Sequence, residues 1–149
     1  MSKSAIGQRG KWAEKEVQKI LDGLSRMHAE FDYERLPDAR AARGAVKAQV
    51  ADFAWFSPGK HGLVEVKETE HDFRLPRDKL AQLPRMRKRA LAGGRVLVLV
   101  YHSQHMRWRA IPLAWFDGPI PPSWDLSNRP NFATAEEAFY SWWHAYVQV

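Results

Sequence analysis

The segment VADFAWFSPGKHGLVEVKET, residues 50–69, decides how this chain is read. VADFAWF (50–56) has strand character, SPGKHG carries a Pro-Gly turn signal, and LVEVKE (63–68) returns as a second strand, so the two form a hairpin. In the returning strand an acid and a base, Glu65 and Lys67, interrupt the apolar run to which Val64 and Val66 belong. Strand side chains alternate between faces, so Glu65 and Lys67 point one way and the two valines the other. On the first strand Asp52 shares a face with Ala54 and Phe56, while Phe53 and Trp55 take the opposite one. Pairing through the turn can bring Asp52 and Glu65 onto one face of adjacent strands, beside the Lys67 ammonium.

Two carboxylates held that close repel, and each raises the other's pKa unless a cation compensates. Mg²⁺, or Mn²⁺ in its place, takes one or two carboxylates and fills its other positions with water and phosphate oxygens. Asp52, Glu65 and the Val66 carbonyl offer such a half-shell. Lys67 can then orient or help deprotonate an attacking water and offset charge developing at phosphorus. The chemistry implied is hydrolysis of a phosphodiester. The alternative is a solvent-facing hairpin whose Asp52, Glu65 and Lys67 form a cross-strand salt bridge on a wet face.

Working outward, KWAEKEVQKILDGL places Ala13, Val17, Ile20, Leu21 and Leu24 at helical spacing and predicts an amphipathic helix from about Gly10 to Leu24. AEFDYERL (29–36) alternates as a strand. PDARAARGAVKAQ (37–49) is rich in Ala, Arg and Gly and reads as a basic loop. Residues 76–92 have helical character, with Pro84 either kinking the helix or marking its true start. Gly93-Gly94 end it. RVLVLVY (95–101) reads as a central strand covered on both faces, and MRWRAIPL (106–113) as a further strand. Four prolines make 117–133 irregular. Thr134 and Glu137 stand at capping-box spacing before a helix with Phe139, Trp142, Trp143 and Tyr146 on one stripe, which reads as core or interface. HSQH (102–105) holds two histidines, but nothing nearby completes a transition-metal ligand set.

A chain of 149 residues, 45% hydrophobic and 27% charged, fits one globular domain, and no apolar run approaches the length of a membrane span. The absence of cysteine and of an apolar leader leads us to expect a cytoplasmic protein. The net charge of +6 is unevenly spread: Arg74 to Arg95 carries +7, whereas Leu113 to the end carries −3. Such a basic segment attracts polyanions, of which nucleic acid is the commonest, or is simply a solvated helix face.

Asp52 followed by Glu65-Val66-Lys67 resembles the core pattern of the PD-(D/E)xK nuclease superfamily. More narrowly, the chain is similar to its Holliday-junction resolvases, the archaeal Hjc type and the RecU type of Gram-positive bacteria and their phages. RGKWAEKEVQKIL looks like their opening helix, with Glu14 at the position of a glutamate that joins the metal site. VEVKET looks like their E-x-K-x-T, with Thr69 in register. RDKLAQLPRMRKRALAGGRVLVLVY is similar to their glutamine-bearing helix, Gly-Gly turn and buried strand, which places Gln82 at that glutamine. WRAIPLAWFDG looks like the strand that follows. Ala51 stands where the superfamily name has Pro, and Ala81 where the RecU type has His.

The resemblance covers about residues 7–118, with 119–149 as an aromatic helical extension of a single domain. It implies an α/β, restriction-endonuclease-like core in which a mixed β-sheet is flanked by helices. It also implies a Mg²⁺- or Mn²⁺-dependent endodeoxyribonuclease acting on four-way or other branched DNA as a homodimer, in a bacterial or phage-infected cell. Glu14, Asp52, Glu65 and Lys67 are then the catalytic set, with Glu14, Asp52, Glu65 and Val66 holding metal. Arg85, Arg87, Lys88 and Arg89 track phosphates together with Thr69 and Gln82, and Arg40, Arg43 and Lys47 form a basic loop entering the junction. Two other outcomes stay open: a nuclease of the same core with a different repair or restriction role, and a branched-DNA-binding protein without catalysis. By helical spacing Glu14 lies about 75° from the centre of the first helix's apolar face, at the edge of the core.

Overall fold

The computed structural model describes residues 3–37 and 49–148, with side chains in the first helix from Gln8 onward. Arg40, Arg43 and Lys47 lie outside the described residues. In chain order the elements are α1 (Lys3–Met27), β1 (Asp32–Arg35), β2 (Phe53–Ser57), β3 (Lys60–Thr69), β4 (Arg74–Pro76), a 3₁₀ turn (Arg77–Leu80), α2 (Leu83–Leu91), β5 (Arg95–His102), β6 (Arg107–Pro112), a second 3₁₀ turn (Leu113–Phe116), β7 (Ser123–Asp125) and α3 (Ala135–Tyr146).

The hairpin of β2 and β3 forms as expected, antiparallel, with Phe53 opposite Val64 and Ser57 opposite Lys60. Its turn is Pro58-Gly59, and Gly59 adopts a φ of +71° that a side chain would disfavour. β1 pairs antiparallel on the outer side of β2, β5 pairs parallel with β3, and β6 closes the other edge antiparallel to β5. The result is a five-stranded mixed sheet in the order β1-β2-β3-β5-β6, with helices on both faces: the mixed α/β fold expected.

Alternation along these strands divides the core in two. One face carries Phe53, Trp55, Val64, Val66, Leu97 and Leu99, covered by Ala13, Val17, Leu21 and Leu24 of α1 and by Phe139, Trp142 and Trp143 of α3. The other carries Ala54, Leu63, Val96, Val98, Val100 and Ile111, covered by Leu83 and Met86 of α2 and by Leu113 and Phe116. β5 is buried from Val96 to His102, as its unbroken apolar run requires. The aromatic extension is thus core: Trp142 and Trp143 pack edge-on against Trp55, with ring centroids 6.1 and 5.2 Å away. Each large side chain so buried contributes about 1.5–3 kcal/mol. Part of this is offset at Trp55 and Trp143, whose indole N–H groups are buried without an acceptor among the described residues.

Several boundaries differ from the sequence expectation. α1 begins seven residues before Gly10, because one glycine in a helix interior costs only about 1 kcal/mol relative to Ala. Expected at 29–36, β1 is only Asp32–Arg35, an edge strand. Pro84 starts a helix rather than kinking one: it sits in the first turn of α2, where its missing N–H has no intrahelical partner to lose. The region 117–133 is not wholly irregular, since β7 pairs with β4 in a separate two-stranded sheet, Leu75 opposite Trp124. At α3 Thr134 is the N-cap: its Oγ1 accepts from the Glu137 N–H at 3.1 Å, and the Glu137 carboxylate, 3.0 Å away, accepts from the Thr134 hydroxyl rather than from its backbone N–H as in a full capping box.

Candidate active site

The site is built where β2 begins. Extending the β2–β3 register by one residue sets Asp52 opposite Glu65, on the same face as Ala54 and Leu63. At this point the ladder is replaced by a side chain: Asp52 Oδ2 accepts the Val66 N–H at 2.8 Å, and the Asp52 carbonyl accepts the Leu36 N–H at 2.9 Å. Asp52 is therefore fixed from both neighbouring segments. It is 7% exposed and Glu65 5%, so these are not acids on a wet hairpin face. The solvent-facing salt-bridge alternative fails on that burial.

Burial, a hydrogen bond shared with Glu65 and the charge of Glu65 push Asp52 up to about 8, although the Val66 N–H and the Lys67 ammonium act the other way. Glu14 reaches the same place from α1. Burial, then the charge of Asp52 and a hydrogen bond with it, push Glu14 up to about 7 against the opposing fields of Arg35 and Lys67. Arg35 Nη2 lies 3.0 Å from Glu14 Oε2, which ties the edge strand β1 to the site. Glu14, Asp52, Glu65 and Lys67 thus come from one helix and two strands to one place; strand alternation had put Glu65 and Lys67 on one face, while Glu14's place was implied by the resemblance alone. Arg35 was not singled out by sequence reasoning. Its signal is weak, a basic residue two after Tyr33 on a short alternating strand.

Three carboxyl groups against one ammonium and one guanidinium leave negative charge that either protons or a cation must neutralise. No group of three or more His, Cys, Asp or Glu side chains among the described residues encloses a metal position. Mg²⁺ and Mn²⁺ sites do not require one, because one or two carboxylates with water and substrate oxygens suffice. Asp52, Glu65 and the Val66 carbonyl are such a hard-oxygen set, with Glu14 at its rim. The donor chemistry fits a divalent ion of this class.

The remaining sequence-singled residues divide. Thr69 is 1% exposed, and its hydroxyl faces inward to accept the His71 N–H at 3.2 Å. Gln82 is the residue before α2, half-buried, with Oε1 3.4 Å from Arg85 Nη1. Lys88 and Arg89 are exposed on α2. Arg87 instead donates to the carbonyls of Phe116 and Gly118, the latter at 2.9 Å, and so holds the second 3₁₀ turn.

Sequence reasoning weighed His102 only as half of a metal-binding pair and missed its structural role. It is the last residue of β5, fully buried, with Nδ1 donating to the His71 carbonyl at 2.8 Å and Nε2 accepting from Arg109 Nη1 at 3.0 Å. Burial lowers its pKa and keeps it neutral. Arg109 also donates to the carbonyls of Asp72 and Arg129, at 3.0 and 3.2 Å, so the pair anchors the segment that leaves β3. His105 pairs with Asp72 at 2.8 Å. A histidine closing a buried apolar strand is the signal that could have found this pair. On the other face of β3, Arg9 of α1 bridges Glu68 at 3.1 Å and Glu70 at 2.7 Å.

No family model and no curated protein matches the chain. Among solved structures it is similar to Hjc, a Holliday junction resolvase of the archaeal hyperthermophile Archaeoglobus fulgidus, at 17% identity and a TM-score of 0.49, covering 80% of this chain and 96% of that one.

Proposed function

We propose that the protein is a Mg²⁺- or Mn²⁺-dependent endodeoxyribonuclease that hydrolyses phosphodiesters in branched DNA, four-way junctions first among them. The observation that carries this is the burial of Asp52 and Glu65 side by side on one sheet face, with Lys67 and Glu14 turned to the same place. A fold has no structural use for two adjacent buried carboxyls unless something completes them.

Asp52, Glu65 and the Val66 carbonyl would hold the ion, with Glu14 assisting, and the bound ion would supply Lewis-acid stabilisation of the phosphate and a more acidic water. The chain's own groups do the rest. The Val66 N–H fixes the Asp52 carboxylate so that it need not reorganise during reaction. Lys67 orients the water and offsets charge on the phosphate oxygens. Glu14, near 7, can hold or release a proton at neutral pH. Arg85, Lys88 and Arg89 on α2 supply positive charge for the DNA backbone, giving affinity that falls as salt rises. Symmetric cutting of a four-way junction needs two such sites about a two-fold axis, so a homodimer is part of the proposal.

Purified protein incubated with labelled four-way junction should cut it with Mg²⁺ or Mn²⁺ and not with EDTA. Glu65→Gln should lose cleavage by at least about 100-fold, since it removes electrostatic stabilisation at the reacting phosphate, while junction binding stays within about twofold. Flaps and linear duplex run beside the junction define the preferred DNA structure. Failure to cut any of them with either metal rejects the enzyme and leaves a branched-DNA-binding protein.

A further inference from the structure

A cleft of about 340 Å³ opens on the α2 face of the sheet beside the acids. Its floor includes Val50 and Ala54, which flank Asp52 in the chain, and its sides include Phe56 from β2 and Arg85 and Arg89 from α2. Phe56 is four residues beyond Asp52 on the same face, which at the strand rise of ~3.3 Å per residue is about 13 Å away. Its ring is 46% exposed, although its neighbours on that face, Ala54 and Leu63, are buried. Arg85 and Arg89 stand one helical turn apart and so present their side chains together. Glu34, at the rim, is outnumbered by them. Gln49 lines the same cleft with its side-chain oxygen buried and without a hydrogen-bond partner among the described residues.

We propose that this cleft captures one unpaired nucleobase of the DNA strand being cut, stacked on Phe56 with its flanking phosphates against Arg85 and Arg89. This rests on the nuclease reading and narrows its substrate to DNA that can release a base near the cut. Each part of the cleft has a matching part in a nucleotide. An exposed aromatic ring offers a face for stacking, two guanidiniums meet phosphates, and the Gln49 oxygen, without a partner among the described residues, accepts a hydrogen bond from the exocyclic amine of adenine or cytosine. A paired base in a duplex keeps its faces stacked and its amine engaged, so it cannot fill the cleft. A separation of about 13 Å corresponds to no more than about four nucleotides of strand at the ~3.4 Å rise of stacked DNA, and fewer once bases are pulled apart.

The test uses uncut DNA, so its outcome does not depend on cleavage. Four-way junctions carrying 5-iodocytosine at each of the first four positions on either side of the cut are bound to the Glu65→Gln protein, irradiated, and the crosslinked residue is mapped by mass spectrometry. A crosslink to Phe56 from one or two of these positions is expected, and none from the same bases in a fully paired duplex. Phe56→Ala should weaken binding to the junction by about 5- to 100-fold, the usual cost of one lost stacking contact, and Phe56→Tyr should restore it. Melting temperatures within a few degrees of the parent confirm that both variants fold. Crosslinks that map only outside the cleft, no crosslink at any position, or equal weakening on paired duplex overturns the inference. Wild-type cleavage with Mg²⁺ alongside such a result leaves the nuclease standing and removes only the base pocket.

Discussion

Asp52→Asn tests the electrostatic strain at the site without disturbing its geometry, because asparagine keeps an oxygen for the Val66 N–H. In the folded protein Asp52 titrates at about 8 against an ordinary 3.8. Between those values the folded state holds a proton that the unfolded chain has released, so the wild-type protein without metal loses stability as pH rises from about 4 to about 8. At about 1.4 kcal/mol per unit the full shift is an upper bound of about 6 kcal/mol. Coupling between Asp52 and Glu14 spreads that cost, and a difference of about 2–4 kcal/mol is expected. For a chain of this size that is roughly 5–15 °C in melting temperature.

In EDTA, Asp52→Asn should therefore melt close to wild type near pH 4.5 and well above it at pH 8.5, read by tryptophan fluorescence. Adding Mg²⁺ at pH 8.5 should raise the wild type and leave the variant unmoved, since only the wild type retains both carboxylates for the ion. Wild-type and variant melting curves that run parallel from pH 4.5 to 8.5 would refute the account of a strained acid pair.

Other perturbations test the scaffold that holds the site. A Cβ at Gly62 would lie 1.8 Å from the Arg95 carbonyl and 2.7 Å from the Trp55 ring, so Gly62→Ala should cost about 3 kcal/mol or more and lower the urea midpoint of unfolding. His102→Ala leaves the His71 carbonyl and an Arg109 N–H short of a partner in a buried place and should cost about 2–4 kcal/mol. Because the His102 pKa is lowered on folding, wild-type stability should also fall as pH drops below about 6.5, and that component should vanish in the variant, as seen in denaturation midpoints between pH 5 and 7.5. Thr134→Ala removes the cap of α3 and should cost about 1 kcal/mol, or 2–4 °C.

The acids were legible because period-two alternation is a strict geometric rule. Alternation put Glu65 and Lys67 on one face and let pairing through the Pro-Gly turn bring Asp52 to it; the register that does so is the one observed. The α3 cap was legible for a similar reason, since Thr134 and Glu137 stand at the only spacing that lets a side chain meet the N3 amide. What stayed hidden depends on distant partners. β4 and β7 are three residues each, too short to show a period, and they pair across almost fifty residues of chain. His102 and Arg109 look like ordinary polar residues until the β5–β6 pairing brings them together. Arg87 sits among basic neighbours in sequence, and only the position of the second 3₁₀ turn separates it from Lys88 and Arg89. Local spacing reveals which side chains point together along one element, and it is silent on which elements meet.

Helix α3 follows every strand of the sheet in the chain, yet with α1 it forms the wall behind Phe31, Phe53 and Trp55. While the chain is being synthesised, the sheet emerges with only α1 to cover that side, leaving part of an aromatic surface wetted by solvent and open to passing proteins. Closing it needs α3 to have left the ribosome. The hairpin that carries Asp52 and Glu65 therefore exists as sequence before it can be held rigid, and a nascent chain stalled before α3 is the form most exposed to aggregation and to chaperone capture.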